Sequence, residues 1–91
     1  MSQQNANKAE IVVYTTEPCA RCVRAKDLLA TRGLEFSEIN LAKDPVGRRE
    51  LAKRTGHMTF PQIVIGDRPL GGFEDLVAAD ERGELAELAA A

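Results

Sequence analysis

The apolar residues in the first third of the chain change from a strand pattern to a helix pattern. The β-branched residues at the centre of Glu10–Thr15 predict a strand that is buried on both faces, as in a parallel sheet. After a break at Thr16-Glu17-Pro18, a pattern with helical spacing begins at Cys19. The apolar stripe of this helix consists of Cys22, Ala25, Leu29 and Ala30. Gly33 then provides the helix stop.

The rest of the sequence predicts three further strands and three further helices. Leu34 to Leu41 has the composition of a strand, but its alternation slips between Phe36 and Ile39, which predicts a bulge or an early strand end. Asp44-Pro45, an N-cap followed by a proline in the first turn, opens a helix. That helix is predicted to run to about Thr55 and to stop at Gly56. A strand over Pro61–Ile65 and a turn at Gly66-Asp67 follow, and Pro69 makes the next strand, Arg68–Gly71, an edge strand. The chain closes with a predicted helix over Phe73–Asp80 and a helical tail over Glu84–Ala91.

The order of elements, β-α-β-α-β-β-α-α, predicts a fold of the α/β class. A βαβ unit followed by a hairpin gives a mixed four-stranded sheet with helices packed on its faces. The 91 residues suffice for one compact domain and not for two. We therefore expect a single domain over residues 9–91, preceded by a polar and disordered N-terminal tail over residues 1–8.

Composition and charge argue against several classes of function. The 44% apolar and 29% charged residues are typical of a globular protein, and the formal net charge of -2 argues against binding to nucleic acid or an anionic membrane. The longest apolar run, Ile11–Tyr14, is too short to cross a bilayer, and the N-terminus lacks the features of a signal peptide. The expected compartment is the cytoplasm, where a close pair of cysteines favours redox or metal chemistry over a structural disulfide.

The strongest chemical signal is Cys19-Ala20-Arg21-Cys22, placed where the first strand gives way to a helix. Backbone N–H groups at a helix start stabilise a thiolate, so Cys19 is the candidate nucleophile and Cys22, in the first turn, the candidate resolving thiol. Inert buried cysteines are one alternative. A metal site is another, although zinc needs about four ligands and only Cys19, Cys22 and His57 are soft candidates here.

Two further segments indicate a ligand site. In Thr59-Phe60-Pro61, the proline that opens a strand would, if cis, expose the main chain of Phe60 to an extended peptide, and a plain trans proline is the alternative. In Gly71–Asp75, two glycines let a ligand approach the backbone, the helix start binds a carboxylate, and Glu74 and Asp75 favour an ammonium group. A ligand with an α-amino acid group suits this pattern, and a glycine turn with an acidic helix start is the alternative.

These three features, in this order, resemble those of glutaredoxins, and closely those of the bacterial dithiol kind. The resemblance runs from about Ile11 to Leu88 and rests on the cysteine pair, on the stretch from Thr59 to Gly66 and on the stretch from Leu70 to Leu76. It implies a thioredoxin fold with strand order 2-1-3-4. It also implies a glutathione-dependent thiol–disulfide oxidoreductase that reduces protein and glutathione mixed disulfides.

The resemblance further implies how glutathione would be held. Pro61 would be cis, and the main chain of Phe60 would pair with the cysteinyl part. A carboxylate of Glu74 or Asp75 at the helix start would hold the γ-glutamyl end, and a basic residue of the second helix would face the glycine carboxylate. The residues assigned to glutathione binding are Arg21, Arg48, Arg49, Thr59, Phe60, Pro61, Gly72, Phe73, Glu74 and Asp75, with Arg48 and Arg49 as alternatives to each other.

The sequence departs from the family pattern at the cysteine pair. Ala20-Arg21 replaces the Pro-Tyr that the family often carries, and Thr16 stands where many members have lysine. In the family, loss of that proline is associated with a glutathione-ligated 2Fe–2S cluster that bridges two monomers. A cluster carrier with Cys19 as ligand is therefore one alternative function. His57, two residues before Thr59, is expected to be an exposed loop residue.

A redoxin is the other alternative within redox chemistry. Thioredoxin reductase would recharge such a protein, which would donate electrons to ribonucleotide reductase. The spacer without Pro-Tyr favours this alternative slightly, while Glu74-Asp75 favours glutathione. When no cluster is bound we expect a monomer, with glutathione and glutathionylated or disulfide-containing proteins as its partners.

Overall fold

The computed structural model describes residues 7–89 of the chain. The elements are β1 (Ile11–Thr15), α1 (Ala20–Thr31), β2 (Ser37–Asn40), α2 (Pro45–Thr55), β3 (Gln62–Ile65), β4 (Arg68–Gly71), α3 (Phe73–Glu81) and α4 (Glu84–Ala89). All the predicted elements are present in the predicted order, and the last two residues of the predicted helical tail lie outside the described part. Among residues 7–89, no helix has the length and apolar content needed to span a membrane.

The four strands form one mixed sheet in the order β2-β1-β3-β4. β1 pairs in parallel with β2, with Val12 opposite Ser37, and antiparallel with β3, with Ile11 opposite Ile65. β3 and β4 form an antiparallel hairpin, so β4 with its Pro69 is an outer strand, as predicted. The α/β class, the mixed sheet and the strand order 2-1-3-4 are therefore confirmed.

The hydrophobic core lies between one face of the sheet and the helices α1, α3 and α4. Its members are buried side chains of β1 and β3, of these three helices and of the turn after α1. They are Ile11, Val13, Ala25, Leu29, Leu34, Ile63, Ile65, Leu76, Ala79 and Leu85. Burial of this apolar surface is the main favourable contribution to the stability of the fold.

β1 is buried on one face only, so the prediction of burial on both faces is wrong. Ile11 and Val13 are fully buried, whereas Val12 and Tyr14 are half-buried. The second face borders an open cleft of about 460 Å³, where the guanidinium of Arg54 lies 5.6 Å from the centre of the Tyr14 ring. A β-branched run indicates a strand, but it carries no information on how much of the second face its neighbours cover.

The buried side of α1 is narrower than predicted. Cys22, Ala25 and Leu29 are buried, but Ala30 is exposed. Each residue advances about 100° around a helix, which turns Ala30 away from the line through the other three. Small residues such as alanine also tolerate exposure, so their apolar character is a weak indicator of the core.

β2 is shorter than predicted. It spans Ser37–Asn40, and all four of its residues are exposed. Leu34 and Leu41, the predicted ends, are buried but lie outside the strand. The N–H of Leu34 donates to the carbonyl of Leu29 at 3.0 Å, so Leu34 belongs to the turn that follows α1. β2 therefore begins three residues later than predicted and ends one residue earlier, and its pairing with β1 shows no register shift.

α2 begins and ends where its sequence signals predict. The carboxylate of Asp44 accepts a hydrogen bond from the N–H of Gly47 at 2.8 Å, and Pro45 occupies the first turn. Gly56 ends the helix with a φ of 80°, a left-handed conformation that glycine adopts without steric cost.

The predicted disordered tail over residues 1–8 lies mostly outside the described residues. Asn7 and Lys8, which are described, both contact the domain. The Asn7 amide bonds to both main-chain groups of Glu35, at 2.5 and 3.1 Å, and the N–H of Lys8 donates to the carbonyl of Leu88 at 2.9 Å.

Candidate active site

Cys19 and Cys22 occupy the first turn of α1. Cys19 is the N-cap, with extended backbone, and its Sγ accepts a hydrogen bond from the N–H of Cys22 at 3.1 Å. The first N–H groups of a helix have no partner within the helix, so a sulfur in this position meets donors and the positive end of the helix dipole. A thiolate is therefore favoured at Cys19.

The two sulfur atoms are joined as a disulfide, and the Cα atoms lie 5.2 Å apart. Cys19 is half-buried, while Cys22 is only 2% exposed. Once the disulfide is reduced, the accessible sulfur is the one stabilised by the helix start, and the shielded sulfur is one turn away. This arrangement suits attack on an external disulfide by Cys19 and resolution by Cys22.

The loop between β1 and Cys19 has a feature that the sequence did not reveal. The Glu17–Pro18 peptide bond is cis. The Glu17 carboxylate also accepts a hydrogen bond from the side-chain amide of Asn40, at 2.8 Å, which ties this loop to the end of β2. A proline before the cysteines marks a break in the strand, but nothing in the sequence distinguished the cis from the trans form at this position.

The second motif forms the bend before β3. The Phe60–Pro61 peptide bond is cis, as the family resemblance implied, so this prediction is confirmed. Thr59 is exposed, Phe60 half-buried and Pro61 buried. The next residue, Gln62, is only 4% exposed and donates hydrogen bonds from its side chain into this bend. Sequence reasoning missed Gln62, although a polar residue that leads a buried apolar strand was a signal for it.

The third motif forms the turn from β4 into α3. Gly71 has a φ of +127°, and a Cβ there would overlap the carboxylate of Asp75. That carboxylate accepts a hydrogen bond from the N–H of Gly72, the N-cap of α3, at 2.9 Å. A Cβ on Gly72 would meet the carbonyl oxygen of Pro61 at 3.6 Å, an ordinary contact distance. The turn therefore lies against the bend before β3, and Asp75 stabilises the start of α3.

One cleft brings the second and third motifs together. It has a volume of about 160 Å³ and is lined by His57, Thr59, Gln62, Gly71, Gly72, Glu74 and Asp75. His57 is exposed, as expected, and it also lines this cleft. Backbone groups, two carboxylates and an imidazole thus face one small space, which is the composition of a site for a small polar ligand.

The cysteine motif is connected to this cleft by an ion pair. A guanidinium nitrogen of Arg21 lies 2.7 Å from a carboxylate oxygen of Glu74, and both side chains are more than half exposed. An exposed pair contributes little to stability. It does show that the spacer of the cysteine pair and the start of α3 are neighbours, so the three motifs form one continuous surface.

Six of the ten assigned residues do not line the cleft. Arg21 is next to it through its contact with Glu74, and Phe60 and Pro61 belong to the bend beside it. The other three are Arg48, Arg49 and Phe73. Arg48 is half-buried, and its guanidinium donates to the carbonyls of Leu41 and Ala42 at 2.7 and 2.9 Å, so it holds the connection between β2 and α2. Arg49 is exposed on α2. Phe73 is half-buried and packs against the hydrophobic core.

Behind the cysteines, one carboxylate has a shifted pKa. A hydrogen bond from the hydroxyl of Thr15 at 2.8 Å, and then contacts with the ammonium of Lys26 at 3.0 Å, hold the pKa of Glu38 below its ordinary value. Thr15 is the last residue of β1 and Lys26 lies on α1. Glu38 therefore joins three elements that meet next to the cysteine loop.

The described residues 7–89 contain no group of three or more His, Cys, Asp or Glu side chains that could hold a metal ion. A cluster shared between two chains would draw one ligand from each, and in this structure the Cys19 sulfur is bonded to Cys22. These residues do not by themselves form a site for a 2Fe–2S cluster, and that hypothesis receives no support here.

Comparison with known proteins agrees with this geometry. The sequence model of the family described as Glutaredoxin matches residues 11–70. A protein named Glutaredoxin from Pseudomonas aeruginosa is 44% identical over 81 residues, which cover 89% of this chain and 96% of that protein. Glutaredoxin 3 of Escherichia coli is 43% identical over 77 residues, which cover 85% of this chain and 93% of that protein.

Solved structures show the same relationship. The solution structure of glutaredoxin from Brucella melitensis superposes with a TM-score of 0.77 at 44% identity, over 88% of this chain and 87% of that one. The crystal structure of a buckwheat glutaredoxin–glutathione complex superposes with a TM-score of 0.80 at 27% identity, over 94% and 81%. On the family match, the identity over most of the chain and the paired cysteines at the start of α1, the protein belongs to the glutaredoxin family of thiol–disulfide oxidoreductases.

Proposed function

We propose that this protein reduces glutathione mixed disulfides and protein disulfides with glutathione as its reductant. The observation that carries the proposal is the cleft between the bend at Thr59–Gln62 and the start of α3, which the Arg21–Glu74 contact joins to the cysteine motif. A glutathione complex of a similar protein, that of buckwheat, supports the choice of ligand.

The chemistry of the cleft suits the groups that glutathione carries. Its ammonium group would contact the exposed carboxylate of Glu74, and the carboxylate beside it would meet the N–H groups at the start of α3. The exposed Thr59 and the main chain of Phe60 would pair with the cysteinyl part. Contacts from Arg21, or from Arg48 or Arg49 to the glycine carboxylate, stay predictions.

The reaction proceeds by two thiol–disulfide exchanges. The Cys19 thiolate attacks the glutathione sulfur of the mixed disulfide, the S–S bond breaks, and the target leaves as a thiolate that takes up a proton. A second glutathione thiolate then attacks the bound glutathione sulfur, which releases oxidised glutathione and restores Cys19. Alternatively, Cys22 attacks Cys19, which releases reduced glutathione and forms the Cys19–Cys22 disulfide seen in the structure.

The test is a coupled assay on a glutathionylated substrate. One reaction contains glutathione, glutathione reductase and NADPH, and a parallel reaction contains thioredoxin reductase and NADPH. Turnover in the first reaction alone is the expected result. Turnover in the second alone would refute the proposal and would establish a redoxin that thioredoxin reductase recharges.

The cellular partners also follow from the proposal rather than from the geometry. We expect a monomer in the cytoplasm that acts on glutathionylated or disulfide-containing proteins. Donation of electrons to ribonucleotide reductase belongs to the redoxin alternative, and the same pair of assays separates the two.

A further inference from the structure

Gln62 is a buried polar residue whose cost to the fold needs an explanation. It opens β3, whose four residues are all buried, and the other three are Ile63, Val64 and Ile65. Only 4% of Gln62 is exposed. A buried amide is costly unless its hydrogen bonds are satisfied, so an apolar residue would be the simplest choice at this position for the fold alone.

The side chain of Gln62 bonds back to the loop that precedes it. Its Nε2 donates to the carbonyl of His57 at 3.0 Å and to the carbonyl of Thr59 at 2.9 Å. Because both partners are carbonyl oxygens, only the NH2 group of the amide can make these bonds, which fixes the orientation of the side chain. One side chain thus bridges two carbonyls on either side of Met58.

The loop has few other hydrogen bonds to hold its shape. Within the described residues 7–89, no backbone–backbone hydrogen bond outside helices and strands involves residues 57–61. The hydroxyl of Thr55 contacts the N–H and the carbonyl of His57, at 3.2 and 3.4 Å, and so assists at one end. At the other end, next to Phe60, the Gln62 amide is the group that holds the carbonyl of Thr59.

We propose that Gln62 is a positioning residue for glutathione. It holds Thr59 and the adjoining main chain of Phe60 in the orientation that the cleft presents to the cysteinyl part of the ligand. The inference rests on the proposed function and deepens it, because it names the residue that preorganises one wall of the cleft. Loss of the amide frees the loop, so glutathione must order it on binding and binds more weakly.

The experiment compares wild type with Gln62→Met, which keeps an unbranched side chain of similar length and removes the donor. The apparent KM for glutathione and the kcat are measured in the glutathione-coupled assay, and the rate of Cys19 alkylation by iodoacetamide is measured on the reduced protein. We expect KM to rise about tenfold, because the hydrogen bonds to two main-chain carbonyls are lost, while kcat and alkylation stay within about twofold.

Asn7→Leu is the matched control, because the Asn7 amide also bonds to main-chain groups of a loop residue, Glu35, outside the cleft. It is expected to lower Tm and to leave KM within about twofold of wild type. If Gln62→Met does not fold, Gln62→Asn replaces it. Its amide is one methylene shorter and cannot bridge both carbonyls, so KM is expected to rise about threefold.

The outcomes distinguish the positioning role of Gln62 from the proposed function. An unchanged KM in the Gln62 variant, or an equal fall in kcat and alkylation rate, would overturn the positioning role and leave the proposed function standing. A wild type that shows no dependence on glutathione would overturn the proposed function and the positioning role with it. A raised KM with unchanged alkylation supports both.

Discussion

Glu74 and Asp75 are adjacent carboxylates at the start of α3, and the structure gives them different roles. Asp75 accepts the N–H of Gly72 and so completes the helix start, whereas Glu74 is exposed and pairs only with the exposed Arg21 among the described residues. We therefore predict that Asp75→Ala lowers stability, and that Glu74→Gln weakens glutathione binding with little effect on stability.

The magnitudes follow from these contacts. Loss of a side-chain hydrogen bond at a helix start costs about 1 kcal/mol, which lowers Tm by about 4–8 °C in a domain of this size. An ion pair as exposed as Arg21–Glu74 contributes little, so Glu74→Gln should shift Tm by less than about 2 °C. Removal of one carboxylate that contacts the ligand ammonium should raise KM for glutathione about fivefold.

The assay is a thermal melt of each variant beside its KM and kcat in the glutathione-coupled reaction. Glu81→Gln, at the far end of the same helix, is the control, because it removes the same charge away from the cleft. Equal losses of Tm in Glu74→Gln and Asp75→Ala, or a KM in Glu74→Gln equal to that of the control, would refute the division of roles.

Three other predictions follow from the structure. Cys19→Ser should abolish turnover of a glutathionylated substrate, while Cys22→Ser should retain substantial turnover because glutathione can resolve the intermediate; equal inactivity would exclude that route. Gly71→Ala should lower the free energy of unfolding in urea by about 2–3 kcal/mol, and Gly66→Ala by about 1 kcal/mol. Both glycines have positive φ, but only at Gly71 would the added Cβ overlap Asp75. Thr15 and then Lys26 lower the pKa of Glu38, so the ionised carboxylate stabilises the fold above the unfolded pKa, near 4.3. This contribution is lost as pH falls through the folded pKa. The difference in unfolding free energy between wild type and Glu38→Gln should therefore shrink below about pH 4.5, and a difference that stays constant with pH would contradict the prediction.

The sequence predicted best the features that depend on local chemistry. Asp44-Pro45 and Gly56 mark the ends of α2 because N-caps and left-handed glycines act through their own backbone. The cis form of Pro61 was also anticipated, but by the family resemblance, since base rates for an X–Pro bond favour trans. The strand order followed in the same way, from the resemblance joined to the βαβ pattern.

Features that depend on distant neighbours were missed. Val12 and Tyr14 are half-buried because they border the open cleft beside Arg54, and a local sequence pattern cannot predict that cleft. Gln62 was predicted as a strand residue, which is confirmed, but its side-chain contacts to His57 and Thr59 were not foreseen, because they require the loop to fold back on it. The Arg21–Glu74 contact likewise exists only because α1 and α3 begin at neighbouring places in the fold.

The placement of Pro69 on the outer strand β4 has a consequence for behaviour at high concentration. A free sheet edge can recruit a strand from another molecule, and this is a common route to aggregation. On β4, Pro69 interrupts the row of N–H groups that such a strand would need. The opposite edge, β2, has only four residues, and a short edge strand offers few backbone groups for another chain to pair with. Both edges of this small sheet are thereby guarded against unwanted pairing.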